Sequence, residues 1–191
     1  MKRLLSTIFV SITVIIFSGC TEKREVDFSK INSVCEMATL KCYYHNVAKE
    51  ESNAKGMFKA FGVGYKKVWF EYSGIVELGI NVNKVSVSEP NKNNVVKVVI
   101  PDAEILNADI DENSLTEPLT DEGVFTKVTK EEETDALASA QEKMKMDAEN
   151  NTELLGQAKE RAKKCIEGYI KNVGELTGDN YKIEWIAYKE K

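Results

Sequence analysis

Few side chains in this sequence could do chemistry. His45 is the only histidine among 191 residues, and it stands in Tyr43-Tyr44-His45-Asn46. An imidazole beside phenols can move a proton, but hydrolysis also needs a nucleophile and an orienting carboxylate. No Gly-x-Ser-x-Gly turn supplies the nucleophile, so the pattern favours a strand histidine beside aromatics. Beyond Cys20 the thiols are Cys35, Cys42 and Cys165. A structural zinc site needs about four ligands, which three scattered cysteines and one histidine would supply only by coincidence, so no metal is expected. The thiols read as small buried hydrophobes. In an oxidising compartment the alternative is a Cys35–Cys165 or Cys42–Cys165 disulfide. Asp109-Ile110-Asp111 opens like a calcium loop, but Ser114 and Thr120 stand where that loop needs glycine and glutamate. Gly62-Val63-Gly64 lacks the Gly-Lys-Ser/Thr of a phosphate loop, and Glu71 and Glu77 are ordinary strand carboxylates. No cofactor is expected.

Hydrophobic residues make up 42% of the chain and charged residues 30%, with three prolines. That balance suits one folded, soluble body rather than a disordered or polytopic chain. The net charge of −5 argues against a general nucleic-acid binder.

The start of the chain says where such a body goes. Lys2 and Arg3 precede a mostly apolar run over residues 4–17, which ends in Ser18-Gly19-Cys20. A positive n-region, a short apolar stretch and small residues before a cut describe a secretory signal. The run falls short of the roughly 20 residues of a membrane span. Ser18-Gly19-Cys20 resembles the lipobox of bacterial lipoproteins. The resemblance implies cleavage before Cys20, diacylglycerol on its sulfur, and a fatty acyl chain such as palmitate on the new amine. Removing 19 residues would leave 172, and losing two cations would move the charge from −5 to −7. Residues 1–19 are therefore expected as a signal peptide, 20–27 as a lipidated polar tether and 28–191 as a single domain. The expected location is the extracytoplasmic face of the cell membrane, with membrane lipid as the first partner.

The elements that must carry these residues follow from periodicity. Asp27 can cap a short helix through Phe28, Ile31, Cys35 and Ala38. Residues 40–47 alternate like a strand, and 48–59 read as loop or frayed helix. Four more strands are predicted at 66–72, 75–82, 84–88 and 95–100, with Ser73-Gly74 as a turn between the first two. Residues 102–125 read as a long connection. Thr129 opens a capping box with Glu132 for a helix over 131–149, and Asn150-Asn151-Thr152-Glu153 offers a second N-terminus. The second helix carries the stronger face, including Leu155, Ala162, Ile166 and Ile170, and Gly174 suits its C′ position. Residues 181–188 close the chain as a strand. The result is an α+β fold: an antiparallel sheet, a short N-terminal helix, two C-terminal helices and a C-terminal strand.

With these elements placed, CEMATLKCYYHNVA (35–48), Gly79-Ile80-Asn81-Val82, IPDAEIL (100–106) and Gly123-Val124-Phe125 resemble the bacterial "domain of unknown function 4230" family over about residues 30–188. Members often carry aspartate at the position of Asn81. The family brings no activity with it. A looser likeness to band-7 (stomatin-type) domains is fold-level analogy only. The function expected from all this is a membrane-anchored surface lipoprotein that binds or scaffolds rather than catalyses. The alternative is an envelope enzyme with a site near Tyr43, Tyr44 and His45. The helix over 131–149 has a narrow alanine and methionine stripe, which marks the region around Met144 as a surface for a protein partner or self-association.

Overall fold

A computed structural model of the chain describes residues 26–36, 38–52, 64–123 and 126–190. The signal segment, Cys20, the tether up to residue 25, and residues 53–63 with Gly62-Val63 lie outside the described residues. Asp27 opens the fold. Its carboxylate accepts the Ser29 N–H at 2.7 Å and the Ser29 hydroxyl at 2.9 Å, just before α1 (Ile31–Glu36).

β1 (Leu40–Ser52) and β2 (Lys66–Ile80) pair antiparallel without a break, from Leu40↔Leu78 to Ser52↔Lys66. β2 is central. Its other edge takes β6 (Leu119–Glu122) beside Lys66–Trp69 and β5 (Ala103–Asp111) beside Ser73–Ile80. A second sheet holds β3 (Ser86–Val87), β4 (Val95–Ile100) and β7 (Lys182–Ala187). β3 runs antiparallel to β4, whereas β7 runs parallel to it. A parallel neighbour requires a crossover connection, and the helix before β7 ends that crossover. α2 (Lys130–Glu149) and α3 (Thr152–Thr177) complete the α+β fold.

Five expectations change. Residues 66–72 and 75–82 are not two strands joined at Ser73-Gly74; they are one fifteen-residue strand. Val68, Phe70, Tyr72, Val76, Leu78 and Ile80 are all buried and all even-numbered, so the inward face never loses phase across Gly74. Glycine is needed there for closeness: a Cβ would lie 2.7 Å from Met144 Sδ and 2.9 Å from the Asp109 carbonyl oxygen. Residues 102–125 are not a bare connection, because β5 and β6 lie within them. The strand expected at 84–88 shrinks to β3, preceded by a 3₁₀ turn over Val82–Lys84. Gly174 is a buried helical residue rather than the C′ glycine, and α3 runs on to Gly178, which adopts φ 77°. β1 also extends past residue 48, through Ser52.

The core has two parts. In the first, Phe70, Tyr72, Val76 and Leu78 pack under Ala136, Ala140, Met144 and Ala148 of α2. In the second, Val96, Val98 and Ile100 pack against Ile166 and Ile170 of α3 and Ile31 and Cys35 of α1. α3 spans both, with Ala158 in the first and Ala162 in the second. Among the described residues no helix is long and apolar enough to cross a membrane.

Candidate functional site

Strand alternation decides what the Tyr43-Tyr44-His45 segment can do. Cys42, Tyr44 and Ala48 face inward and pack in the core under α2. Lys41, Tyr43, His45, Val47 and Lys49 face outward and are exposed. Tyr43 and Tyr44 therefore lie on opposite faces of one sheet, and the trio does not converge. Burial pushes the Tyr44 phenol above its ordinary pKa, with nearby Cys42 and Asp147 adding to the shift. Burial likewise raises the Cys42 thiol.

His45 instead meets residues of β2. The register places it opposite Ser73, and its Nδ1 lies 3.2 Å from Ser73 Oγ. Its Nε2 lies 3.7 Å from a Glu71 carboxylate oxygen. Serine, imidazole and carboxylate thus stand in a row, the arrangement that hydrolytic chemistry uses. The setting differs from such a site in one decisive respect. The His45 and Glu71 side chains are 70% and 58% exposed, so the row sits on an open sheet face. Water there screens the charges that a dry, preorganised pocket would strengthen. Sequence reading missed Ser73, because only the β1–β2 register brings residues 28 apart together.

The same outer face carries apolar surface. Tyr43 is 77% exposed, Val47 52% and Leu119 59%. Trp69 pairs with Lys49 on one side and Leu119 on the other, so Trp69 and Leu119 are neighbours on this face. Lys67 Nζ lies 5.8 Å from the Trp69 ring centroid, a cation–π distance. Two recesses elsewhere among the described residues are open rather than enclosed. One runs between β5 and α2 past Ile105, Ala108, Gln141 and Lys145. Another, lined by Glu36, Thr39, Lys41, Glu77 and Arg161, holds the Lys41–Glu77 ion pair at 2.7 Å.

The three candidate cysteines separate into the two halves of the core. Cys35 is buried in α1, and Cys165 of α3 packs against the same cluster. Cys42 belongs to the other cluster. All three are free thiols in this structure. Burial, reinforced by the neighbouring Cys165 and then Glu36, raises the Cys35 thiol to about 11, so Cys35 is a poor nucleophile. Asp111 of the acidic loop caps the 3₁₀ turn over Glu112–Ser114 by accepting the Asn113 N–H at 3.0 Å. Among the described residues no three metal-ligating side chains converge.

α2 begins as its sequence requires. Thr129 Oγ1 accepts the Glu132 N–H, and a Glu132 carboxylate oxygen accepts the Thr129 N–H at 2.8 Å. Lys66 Nζ donates to the same carboxylate at 2.8 Å, tying α2 to the start of β2. The Lys66 hydrogen bond, followed by that of Thr129, holds the Glu132 carboxyl below the usual range. The alanine and methionine stripe is not an open surface. Met144 is 1% exposed and lies over Gly74. Met146, on another face, is 51% exposed.

Comparison with known proteins gives one positive finding. The family described as "Protein of unknown function (DUF4230)" matches residues 29–177. No curated protein and no solved structure matches the chain.

Proposed function

The chain belongs to the DUF4230 family, and from that premise we propose that it is a surface lipoprotein whose α+β body binds or scaffolds at the cell envelope. The observation that carries this reading is Ser18-Gly19-Cys20 at the end of the apolar run over residues 4–17. Two or three acyl chains on Cys20 hold a protein on a bilayer where one chain binds only marginally. Placement of the domain start supports the reading. Phe28 packs edge-on against Tyr169 and Tyr181, with ring centroids 6.3 Å from each, and the Tyr169 hydroxyl donates to the Asp27 carbonyl at 3.2 Å. These contacts fix the start of the folded body at Asp27 and Phe28, where the expected tether would join it. Binding is supported by the outer sheet face, which offers exposed Tyr43, Val47 and Leu119, and by the exposed setting of the His45 and Glu71 side chains.

Fractionation tests the anchor. The wild-type chain is expected in the membrane fraction, extractable by detergent and not by salt. Cys20→Ser is expected to lose processing and membrane retention, and an unchanged distribution would sink the proposal. A second reading, the envelope enzyme, draws on one observation: the Ser73–His45–Glu71 row. A fluorophosphonate probe separates the two. The binding reading expects Ser73 to stay unlabelled in the folded protein, and labelling abolished by His45→Ala would establish the enzyme instead.

A further inference from the structure

β1 is an edge strand of unusual length. It has thirteen residues, pairs with β2 without a register shift, and has no strand on its other side among the described residues. It contains no proline and no bulge, two of the devices that blunt edges, though Lys41 and Lys49 place charge along it. Which backbone groups face outward can be worked out. The N–H groups of Glu71 and Ser73 point away from β1 and donate to the Thr116 and Ser114 hydroxyls at 2.9 and 2.7 Å. The odd-numbered backbone of β2 therefore faces β5 and β6, and its even-numbered backbone faces β1. Since Asn46 opposes Tyr72 and Val47 opposes Glu71, the odd-numbered residues of β1 point their N–H and C=O groups to the free edge. Val47 agrees: its N–H donates to the side-chain oxygen of its own neighbour Asn46 at 2.9 Å. Lys41, Tyr43, His45, Val47, Lys49 and Glu51 present this edge.

We propose that a second copy of this chain pairs antiparallel along β1, with the two-fold axis passing through Asn46. The sequence is complementary to itself in that register. Lys41 comes opposite Glu51 of the second copy, Tyr43 opposite Lys49, and His45 opposite Val47. The first two are an opposite-charge pair and a cation–aromatic pair, both favourable across strands. Lys41 already holds Glu77 and Glu51 holds Lys49 within each copy, so the cross-copy contact joins existing ion pairs. Moving the axis one residue to His45 would set Lys41 against Lys49, a like-charge pair that is destabilising. The pairing would join two outer faces into one sheet and extend the exposed Tyr43 and Val47 surface. The inference rests on the binding reading and deepens it, because pairing at the edge enlarges the outer face on which that reading relies.

The register makes a specific crosslink. Asn46 of each copy would form a non-hydrogen-bonded pair with Cα atoms about 4.5 Å apart, which lies within disulfide range. The full-length chain carrying Asn46→Cys is expressed in intact cells, oxidised with copper phenanthroline and run on a non-reducing gel. A dimer band is expected. Leu176→Cys, exposed at the far end of α3, should give none. Val47→Pro in the Asn46→Cys chain removes only an outward-facing N–H, so it should cut the dimer band about tenfold or more while the monomer keeps its thermal transition. Glu51→Lys should weaken the band, and adding Lys41→Glu should restore it. A monomer alone, or a dimer indifferent to Val47→Pro and to the charge exchange, overturns the proposal. The same membrane fractions report anchoring. A chain that is retained but monomeric overturns the pairing alone, whereas a chain that is not retained overturns the lipoprotein reading.

Discussion

α2 and α3 are consecutive helices that solve the same packing problem in opposite ways. α2 buries Ala136, Ala140, Met144 and Ala148, a stripe with little bulk. The sheet beneath supplies the bulk through Phe70, Tyr72 and Leu78. α3 buries Ile166 and Ile170 against Val96 and Val98, so large side chains come from both layers. The difference teaches that a weak helix face need not be an open one. Alanines let a helix approach closely, and bulk on one side of an interface can fill the space that the other leaves. The α3 half should therefore fail by cavity formation, and the α2 half by overfilling.

The largest expected effect tests the α3 half. Ile166 is fully buried, and Ile166→Ala should cost about 2–5 kcal/mol in urea unfolding. Glu167→Ala, one residue on and exposed, should stay within about 0.5 kcal/mol. Equal effects would show that the inward face is misplaced. The overfilling test in the α2 half comes next. Gly74→Ala should cost about 1–3 kcal/mol, because its Cβ would press on Met144 Sδ and on the Asp109 carbonyl. Met144→Ala will itself destabilise, since that side chain is buried. In its background Gly74→Ala should cost less than in the wild type and still more than nothing, because the carbonyl stays in place. A neutral Gly74→Ala would contradict the close approach of α2 to the sheet.

A smaller effect concerns the start of α2. Thr129→Ala removes the N-cap and should cost about 1 kcal/mol, read as a shift in the denaturation midpoint. The smallest concerns pH. The Glu132 carboxyl is held below its ordinary pKa chiefly by Lys66, and Asp102 is held down by Lys159 at 2.6 Å. A carboxyl whose folded pKa is depressed stabilises the fold above its unfolded pKa, and that contribution is lost as pH falls through the folded value. Stability should thus decline on the acid side of the carboxylate range, and Lys66→Met should flatten part of that decline. Both carboxylates are exposed enough for salt to weaken the effect.

Much of this architecture was legible in the sequence. The Thr129–Glu132 capping box and the Ile166/Ile170 face of α3 are local patterns, and both stand in the structure. The inward phase of β2 was also visible, since its apolar residues keep even numbers through position 74. Turn chemistry at Ser73-Gly74 obscured that phase, because a glycine that admits a neighbouring helix looks the same in sequence as one that turns. β5 was hidden for a different reason. Leu106 is an extra residue opposite the Glu77/Leu78 step, so inward residues shift from Ala103 and Ile105 to Ala108 and Ile110, and the alternation breaks midway. Pairing of Ser73 and Glu71 with His45 was not legible, since it depends on a register between distant segments. Burial of Met144 was not legible either, because it depends on what the sheet places beneath it.

The lipid anchor at Cys20 is the central proposal for this chain, and one mass measurement tests it directly. Membranes carrying the full-length chain are extracted in detergent, and the purified protein is digested with trypsin. The predicted N-terminal peptide spans Cys20-Thr21-Glu22-Lys23 and carries the mass of a thioether-linked diacylglycerol, with an added acyl chain where the amine is acylated. A chain that begins at Met1, or a Cys20 peptide with no added lipid mass, would contradict it.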